Sequence, residues 1–266
     1  MKKIKVVASG SGTLLYYHIG VLKRLVETFD IEEIIGTSGG AFILAFLATG
    51  YSIPDIEGIA KFEKLSNCVD SSWNFFDKFG IVEGNKILKV LEKYLTKTFS
   101  ETKIPFTAVV TDFNEKKPIY FSTKNTPNEK ISLIIRASMS IPLFFKYVLW
   151  NNKILVDGGL CNNFPIDFFK NNKNVIGIKV ESSWNRDNGL KNWFLNFLGI
   201  NYIIDLISIM MNSLEKKHIE DSIYSNIIVI KSNRSGLSFD FTLSDIDEMI
   251  NEGYLATNEF LKKWQN

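Results

Sequence analysis

The sequence is poor in the residues that build metal centres and disulfide frameworks. It contains only two cysteines, Cys68 and Cys161, and two histidines. Zinc sites need several Cys or His ligands at short spacings, and disulfide-rich folds need more cysteines than this. We therefore predict that the chain uses no metal and no other cofactor, and that its two thiols are buried and unpaired.

The sequence also lacks a large excess of one charge and long apolar runs. Its 31 basic and 29 acidic side chains leave a net charge of +2, which is too small to indicate a nucleic-acid partner. No apolar run reaches the roughly 18 residues of a membrane span. The apolar part of the opening stretch, MKKIKVVASGSG, is shorter than the roughly 7–15 residues of a signal peptide. We therefore expect a cytoplasmic protein whose membrane contact, if any, is peripheral.

What the sequence does have is the alternation of strand and helix patterns that is typical of an α/β protein. A strand over 3–9, a helix over 13–29 and a strand over 31–35 form a βαβ unit, which implies parallel strands. Later, YVLW and KILVDGG resemble the arms of a hairpin, and 244–264 has the pattern of an amphipathic helix capped by Ser244 and Asp247.

The same pattern predicts one domain over 1–266. The chain has 266 residues, 45% of them hydrophobic, which is enough for a substantial core, and no stretch resembles a linker. The motifs lie in a core of about 3–180, and 181–266 is expected to form a C-terminal extension of helix and strand.

One serine stands between glycines at the end of the second predicted strand, in IEEIIGTSGGAFILAFLATG. The motif Gly36-x-Ser38-x-Gly40 follows a strand directly and precedes a helix directly, which is the setting of a nucleophile elbow. The first amides of that helix and its positive dipole end would stabilise negative charge beside the serine. A plain tight turn is the alternative, but the context favours a nucleophile.

A serine hydroxyl needs a base to act as a nucleophile near neutral pH. Asp157, in KILVDGGLCNN, ends an apolar run and precedes two glycines, so its carboxylate can reach into a cleft. His218, in LEKKHIED, has the pattern of an exposed helix residue among charges. Both are candidates, and Asp157 is the better placed.

The early loop SGSGT over 9–13 is glycine-rich and lies at a helix start, so its amides can bind an anion. Leu15 occupies the last glycine position of a dinucleotide fingerprint, and no Gly-Lys-Ser/Thr ending of a phosphate loop is present. An oxyanion hole is therefore the better interpretation.

Taken together, five stretches of the chain resemble the patatin-like phospholipase family. They are SGSGTLLYYHIGVLKRL, GTSGGAFILAFLATGY, TAVVTDFNEKKPIYFS, IRASMSIPLFF and LVDGGLCNNFPID, and they cover most of the chain to about Val180. The resemblance implies a three-layer α/β/α fold and a Ser–Asp dyad without histidine. It implies a lipid acyl hydrolase that acts on phospholipid or another lipid ester through an acyl-enzyme, with Ser38 as the nucleophile and Asp157 as the base.

The resemblance and the serine motif together assign the supporting backbone of the site. We expect the oxyanion donors at Gly10, Ser11 and Gly12, joined by the amide of Gly39, and supporting glycines at Gly36, Gly40, Gly158 and Gly159. A lone aspartate has an ordinary pKa of about 3.9, so the cleft should desolvate Asp157 and raise its pKa. A protein activator is compatible with this function.

The sequence departs from the family pattern beside the oxyanion loop. Ser11 and Leu15 stand where the family often has glycine, and Leu14 stands where it often has a basic residue. The departures at Leu14 and Leu15 leave open a catalytically weak lipid-binding protein. A second alternative is an α/β-hydrolase esterase with a triad of Ser38, Asp157 and His218, whose chain order fits that fold, although the fold usually places several strands before its elbow and this chain places two.

The segment NWFLNFLGINYIIDLISIMM, over 192–211, is a candidate for membrane contact. Trp193 and Phe194 would suit the lipid head-group zone. The alternative is a core helix, which is slightly favoured for the Ile and Leu positions. SSWNFFDKFG over 71–80 is a second aromatic-rich candidate.

Three further polar residues are weighed as structural. His18 is expected to be a packed helix residue, and Asp112 is expected to cap a turn at a strand end. Arg136, in IRASMSIP, either supports the site or ends a helix.

Overall fold

The computed structural model describes residues 1–68, 80–170, 172–182 and 226–264, together with 202, 206, 207, 209–211 and 215. Its strands are β1 Lys2–Ala8, β2 Phe29–Thr37, β3 Gly80–Val82, β4 Phe106–Asp112, β5 Lys117–Ser122, β6 Leu143–Phe145, β7 Val148–Trp150, β8 Lys153–Asp157, β9 Val175–Ser182 and β10 Asn226–Ser232. Its helices are α1 Tyr16–Val26, α2 Ser38–Thr49, α3 Ile53–Glu63, α4 Asn85–Tyr94, α5 Ile131–Ser138, α6 Gly159–Asn162 and α7 Leu243–Trp264.

Eight of these strands form one mixed sheet in the order β10-β9-β1-β2-β4-β8-β7, with β5 paired to β4. The neighbours from β10 to β4 are parallel, and β5, β7 and β8 add antiparallel pairs at one side. β3 and β6 form a separate short parallel pair. The predicted α/β fold with a mostly parallel central sheet and helices around it is confirmed.

Both faces of the central strands are covered by apolar side chains. Successive side chains of a strand point to opposite sides of the sheet, so neighbouring residues join different clusters. In β1, Val6 joins the larger apolar cluster, which includes side chains of α1 and α2. Its neighbour Val7 joins a smaller cluster with Phe164 and Ile166, on the other side of the sheet.

Strand β4 is the point at which the two predicted catalytic segments meet. β5 pairs with β4 over Thr107–Asp112 and so occupies one edge of it. β2 and β8 therefore share the other edge: Thr37 of β2 lies opposite Val109, and Asp157 of β8 lies opposite the next residue, Val110. Because β8 runs antiparallel to β4, the carboxyl ends of β2 and β8 face each other there.

The first helix differs from its predicted bounds at both ends. A 3₁₀ turn over Gly12–Leu14 precedes α1, which begins only at Tyr16 and ends at Val26. Phe29 starts β2 instead of ending the helix. Its ring packs against Trp264 of α7, with ring centroids 5.1 Å apart, so tertiary packing explains the earlier change to a strand.

The predicted hairpin is confirmed as β7 and β8. Its turn residues, Asn151 and Asn152, have φ angles of 45° and 61°, the left-handed pair that a two-residue hairpin turn requires and that asparagine tolerates. The predicted cap of the C-terminal helix was wrong by two residues. Thr242 and Asp245 form the reciprocal bonds, at 2.8 Å and 3.1 Å.

The C-terminal part joins the same sheet and helix layer. β10 pairs with β9 along its whole length, and α7 packs closely on α1. Cys161 is unpaired as predicted, but it is partly exposed, not buried. Within the described ranges, no helix has the length and hydropathy to cross a bilayer.

Candidate active site

Ser38 is the first residue of α2 and lies in a strained turn between β2 and that helix. Its φ angle is 50°, in the left-handed region that costs a non-glycine residue free energy. A buried hydrogen bond holds this backbone: the Ser38 amide donates to Ser138 Oγ at 2.9 Å, and Ser138 Oγ donates in turn to the Val109 carbonyl at 2.7 Å. The turn therefore presents the Ser38 hydroxyl in a fixed direction.

The Ser38 hydroxyl points directly at a carboxylate. Ser38 Oγ donates to Asp157 Oδ2 at 2.8 Å, and both residues are buried. The second oxygen, Asp157 Oδ1, accepts the Gly159 amide at 2.7 Å. The backbone amide of Asp157 donates to the carbonyl of Ser140 at 2.9 Å, so side chain and backbone are both held.

Burial raises the pKa of Asp157 from 3.8 to about 7. Loss of water around the carboxylate is the largest cause, and the hydrogen bonds from the Gly159 amide and the Ser38 hydroxyl oppose it. A carboxylate with such a pKa can accept a proton at neutral pH, which an ordinary aspartate does poorly.

The early loop lies against the Ser38 turn. A β-carbon added to Gly39 would come within 2.7 Å of the Gly12 carbonyl, so the two segments touch through backbone. Among the described residues the amides of Ser11 and Gly12 have no acceptor, and the Gly39 amide lies in the first turn of α2, where amides lack intrahelical partners. These three amides can donate to an anion.

Gly10 differs from the prediction, because its amide already donates to the Asn163 carbonyl at 2.9 Å. That bond ties the loop to the segment that follows Asp157 and removes Gly10 as a free donor. The structure therefore brings together Ser11, Gly12 and Gly39 as candidate donors and gives Gly10 a positioning contact.

The remaining glycines of the motifs lie where backbones approach closely. A β-carbon added to Gly36 would lie 2.8 Å from the Ala41 nitrogen. One added to Gly40 would lie 2.4 Å from the Ser9 carbonyl oxygen, and one added to Gly158 would lie 2.2 Å from the Val109 carbonyl oxygen. Any side chain would push apart the strands, the turn or the loop. Gly159 has a different role, because its backbone amide donates a hydrogen bond to the Asp157 carboxylate.

Two of the three departures from the family pattern, Leu14 and Leu15, are core residues. Leu14 and Leu15 are 0% and 1% exposed and belong to the larger apolar cluster. Neither lines the cleft at Ser38. Both side chains therefore serve the packing of the core and bring no charge to the site.

Ser38 opens on an apolar cleft of about 410 Å³, a volume that includes space open to solvent. Apart from Ser38, Thr13 and two glycines, its walls are hydrophobic: Leu65, Ile87, Met139, Ile141, Phe144, Phe145, Leu237 and Phe239. Thr13 Oγ1 is buried without a partner among the described residues. The cleft suits an apolar chain attached to a polar reacting group.

Sequence reasoning missed how the segment after α5 serves the site. The Ser138 hydroxyl accepts the amide of Ser38, and the Ser140 carbonyl accepts the amide of Asp157. Arg136 braces this segment by donating to Ser140 Oγ at 2.6 Å and to the Gly84 carbonyl at 3.1 Å. Arg136 lies in the last turn of α5 and also braces the segment that contacts Ser38 and Asp157, so both of its predicted roles fit the structure.

The other weighed residues are structural, as predicted. Asp112 accepts the amides of Asn114 and Glu115, both at 3.0 Å, and the Lys153 ammonium at 2.6 Å, so it caps a turn. His18 is fully buried in α1, and burial lowers its pKa to about 4.

Several predicted residues lie outside the described part of the chain. They are His218, Trp193 and Phe194, together with 71–79. In the same region, Tyr202, Leu206, Ile209 and Met210 are 67%, 41%, 61% and 57% exposed. Core packing was therefore the wrong expectation for Leu206 and Ile209.

The exposed apolar residues at 202, 206, 209 and 210 are spaced as on one helix face. We name them the apolar face. The next residue, Met211, lies over the site, because its Cε would be 2.4 Å from a β-carbon added to Gly159. The apolar face is thus anchored beside the Asp-Gly-Gly segment.

The fold and the site together define an α/β protein in which a serine, held in a strand–helix turn, meets a buried carboxylate beside an apolar cleft. The model of the patatin-like phospholipase family matches residues 6–170, more than half of the chain. The chain belongs to that family, which makes it a relative of lipid hydrolases.

Individual proteins agree with this membership. The chain is 30% identical over 197 residues to the probable lipid hydrolase 463L of Invertebrate iridescent virus 6, covering 67% of each chain. It is 29% identical over 254 residues to the uncharacterized protein R571 of Acanthamoeba polyphaga mimivirus, covering 88% of this chain and 85% of that one. Among solved structures, VipD from Legionella pneumophila has the same fold, with a TM-score of 0.62 at 15% identity over 98% of this chain and 67% of its own.

Proposed function

We propose that this chain is a serine-dependent lipid acyl hydrolase of the phospholipase A type, with Ser38 as the nucleophile and Asp157 as the general base. The observation that carries the proposal is the 2.8 Å hydrogen bond from Ser38 Oγ, in the wall of an apolar cleft, to a buried carboxylate whose pKa lies near 7. An oxygen nucleophile, a matched base and an apolar subsite are what ester hydrolysis of a lipid requires.

In the first step, ionised Asp157 takes the proton of the Ser38 hydroxyl while Ser38 Oγ bonds to the acyl carbon of the ester. The carbonyl oxygen becomes an oxyanion, and the amides of Ser11, Gly12 and Gly39 donate to it. When the carbon–oxygen bond to the alcohol breaks, protonated Asp157 gives its proton to the leaving oxygen. The acyl-enzyme on Ser38 remains.

In the second step, water attacks the acyl carbon and Asp157 accepts a proton from it. The same amides hold the second oxyanion. Its collapse releases the fatty acid, and the proton on Asp157 returns to Ser38 Oγ. No group beyond the dyad and the backbone amides enters these steps.

The direct contact between the two side chains argues against the triad alternative. In a Ser-His-Asp triad the imidazole lies between the serine and the carboxylate, whereas Ser38 Oγ and Asp157 Oδ2 are 2.8 Å apart with no room for a ring. We therefore expect His218→Ala to keep full hydrolase activity.

We also propose that the protein works at a membrane surface as a peripheral protein. The apolar face exposes four large hydrophobic side chains beside the segment that carries Asp157. Amphipathic helices of this kind insert their apolar side at the lipid interface. Lipid esters would then reach the Ser38 cleft without crossing water.

The test is fatty-acid release from mixed phospholipid vesicles by wild type, Ser38→Ala and His218→Ala. We expect release by wild type and His218→Ala, and a loss of at least about 10³-fold in Ser38→Ala. Vesicle binding by all three without Ser38-dependent release would instead support a lipid-binding protein. A loss of activity in His218→Ala with an unchanged thermal unfolding temperature would restore the triad.

A further inference from the structure

A second apolar cavity lies beside the Ser38 cleft. Its volume is about 430 Å³, again including open space, and α2, α3 and α4 contribute its walls through side chains such as Phe42, Ala60 and Val90. Leu65 and Ile87 line both this cavity and the cleft that holds Ser38. Both are almost fully buried, at 8% and 3% exposure. They form the partition between the two spaces.

We propose that the acyl chain of the substrate passes from the Ser38 cleft between Leu65 and Ile87 and ends in the second cavity, so that the enzyme selects long-chain esters. This inference rests on the proposed hydrolase function and names the part of the chain that sets its selectivity. Leu65 and Ile87 are the specificity-determining residues, because they decide whether the two spaces act as one.

The chemistry of the walls identifies the occupant as a hydrocarbon chain. The side chains that line the Ser38 cleft include no charged group, and those of the second cavity include only Glu63 and Lys64. Glu63 is already paired, with Lys93 at 2.8 Å and the Tyr94 hydroxyl at 2.6 Å. A head group buried between these walls would lose its water without a partner, which is costly.

The partition also predicts a dependence on chain length. Each methylene moved from water into an apolar site gains about fourfold in affinity, from about 0.8 kcal/mol per group. A chain short enough to end in the first cleft gains nothing from the second cavity. A long chain gains over its whole added length, and this gain should appear in kcat/KM.

Filling the second cavity tests this. Ala60→Phe places a ring in that cavity, whereas Ala60 does not line the Ser38 cleft. Gly58→Phe is the matched control on the same helix, because a side chain there meets open space. With p-nitrophenyl butyrate and p-nitrophenyl palmitate in mixed micelles, we expect Ala60→Phe to lower kcat/KM for palmitate at least about tenfold. Butyrate hydrolysis should change less than about twofold, and Gly58→Phe should leave both substrates unchanged.

A second variant, which enlarges the passage instead of filling the cavity, keeps the test valid if Ala60→Phe does not fold. Ile87→Ala opens the partition and should raise the palmitate-to-butyrate ratio several-fold. An unchanged ratio in Ile87→Ala, or an equal loss for both esters in a folded Ala60→Phe protein, would overturn the inference.

A binding measurement separates this inference from the proposed function. Ser38→Ala protein should bind palmitate but not butyrate in calorimetric titrations, and Ala60→Phe added to it should abolish palmitate binding. If no ester shows Ser38-dependent hydrolysis while this pattern holds, the hydrolase proposal fails and the chain-binding cavity stands. If palmitate binds equally with and without Ala60→Phe, the cavity inference fails.

Discussion

Asp157, the proposed base, should lower the stability of the fold when it is ionised. Its pKa in the folded protein is raised from 3.8 to about 7, chiefly because burial removes water from the carboxylate. Between these two values the folded protein holds a proton that the unfolded chain releases. The free energy of unfolding should therefore decrease as pH rises through this window and level off above about pH 7.

Replacing the carboxylate tests this at the residue scale. Asp157→Asn keeps the shape and cannot ionise, so it should be inactive but more stable than wild type at pH 8, by about 2–4 kcal/mol. The two should be nearly equal at pH 4. Urea unfolding at pH 4, 5.5 and 8 measures the difference. Protonation of buried His18 in acid changes the free energy of unfolding of both proteins equally, so it cancels in the comparison. A stability difference between the two proteins that does not depend on pH would contradict the raised pKa of Asp157.

In the proposed mechanism, the same pKa sets the pH dependence of activity. Because Asp157 must be ionised to accept the Ser38 proton, kcat/KM should rise with pH through about 7 and then level off. An acidic limb near the ordinary aspartate value of about 4 would argue against a desolvated base.

Ser138 is a positioning residue whose effect should appear in turnover. Its hydroxyl accepts the amide of Ser38, which lies in a strained backbone region, and donates to Val109. In Ser138→Ala a buried amide loses its acceptor, and we expect kcat to fall about tenfold, or about 1.4 kcal/mol of transition-state stabilisation, with little change in KM.

Ser132→Ala is the matched control, because Ser132 is also buried in α5, whereas the acceptor of the Ser38 amide is Ser138. Equal losses of kcat in the two variants, or a loss confined to KM in Ser138→Ala, would mean that Ser138 only stabilises the helix.

At the scale of elements, the C-terminal helix is tied to the motif-bearing core by a close helix crossing. An added β-carbon at Gly20 of α1 would lie 1.9 Å from the Ile250 carbonyl, and one at Gly253 of α7 would lie 2.4 Å from the Tyr17 carbonyl. Backbone is in contact with backbone there, so a methyl group cannot be accommodated by moving a side chain. The helices would have to separate.

We therefore expect Gly253→Ala to lower the free energy of unfolding by about 2 kcal/mol or more, although alanine is the better helix former. Gly58→Ala, on the exposed face of α3, should be neutral or slightly stabilising, because nothing lies within 4 Å of its added carbon. Thermal unfolding of the two variants makes the comparison. A destabilisation no larger in Gly253→Ala than in Gly58→Ala would mean that the two helices do not need this close contact.

The elements also show how far sequence reasoning reaches. The strand–serine–helix order, the Asn151-Asn152 hairpin and the placement of Asp157 at a strand end follow from local patterns, and the structure has all three. Nothing local indicated that Ser138 would meet an amide one hundred residues earlier. The predicted end of α1 was wrong for the same reason, a contact distant in sequence: Phe29 packs against α7.

At the scale of the whole molecule, the sheet explains how distant residues come to face each other. Ser38 and Asp157 are 119 positions apart, yet their strands end against adjacent residues of β4. β2 runs parallel to β4 and β8 runs antiparallel to it along the same edge, so their carboxyl ends meet. The carbonyl of Val109 in β4 also receives the Ser138 hydroxyl. β4 thus contacts the strand ends beside Ser38 and Asp157, and also the Ser138 hydroxyl that holds the Ser38 amide.

The proposed membrane contact through the apolar face would orient the whole molecule on a lipid surface, and this proposal can be tested apart from catalysis. Leu206→Ser with Ile209→Ser should weaken vesicle binding at least about tenfold, because two exposed apolar side chains lose their burial in lipid. Hydrolysis of phospholipid in vesicles should fall with binding, whereas hydrolysis of soluble p-nitrophenyl butyrate should not change.

The control is Phe113→Ser with Leu149→Ser, which removes two side chains of similar exposure, 56% and 66%, that lie outside the apolar face. This variant should bind and hydrolyse like wild type. If both double variants lose vesicle binding to the same extent, general hydrophobicity holds the protein on lipid and the apolar face has no special part. If only the first variant loses it, the surface beside Met211 and Gly159 is the side through which lipid reaches Ser38.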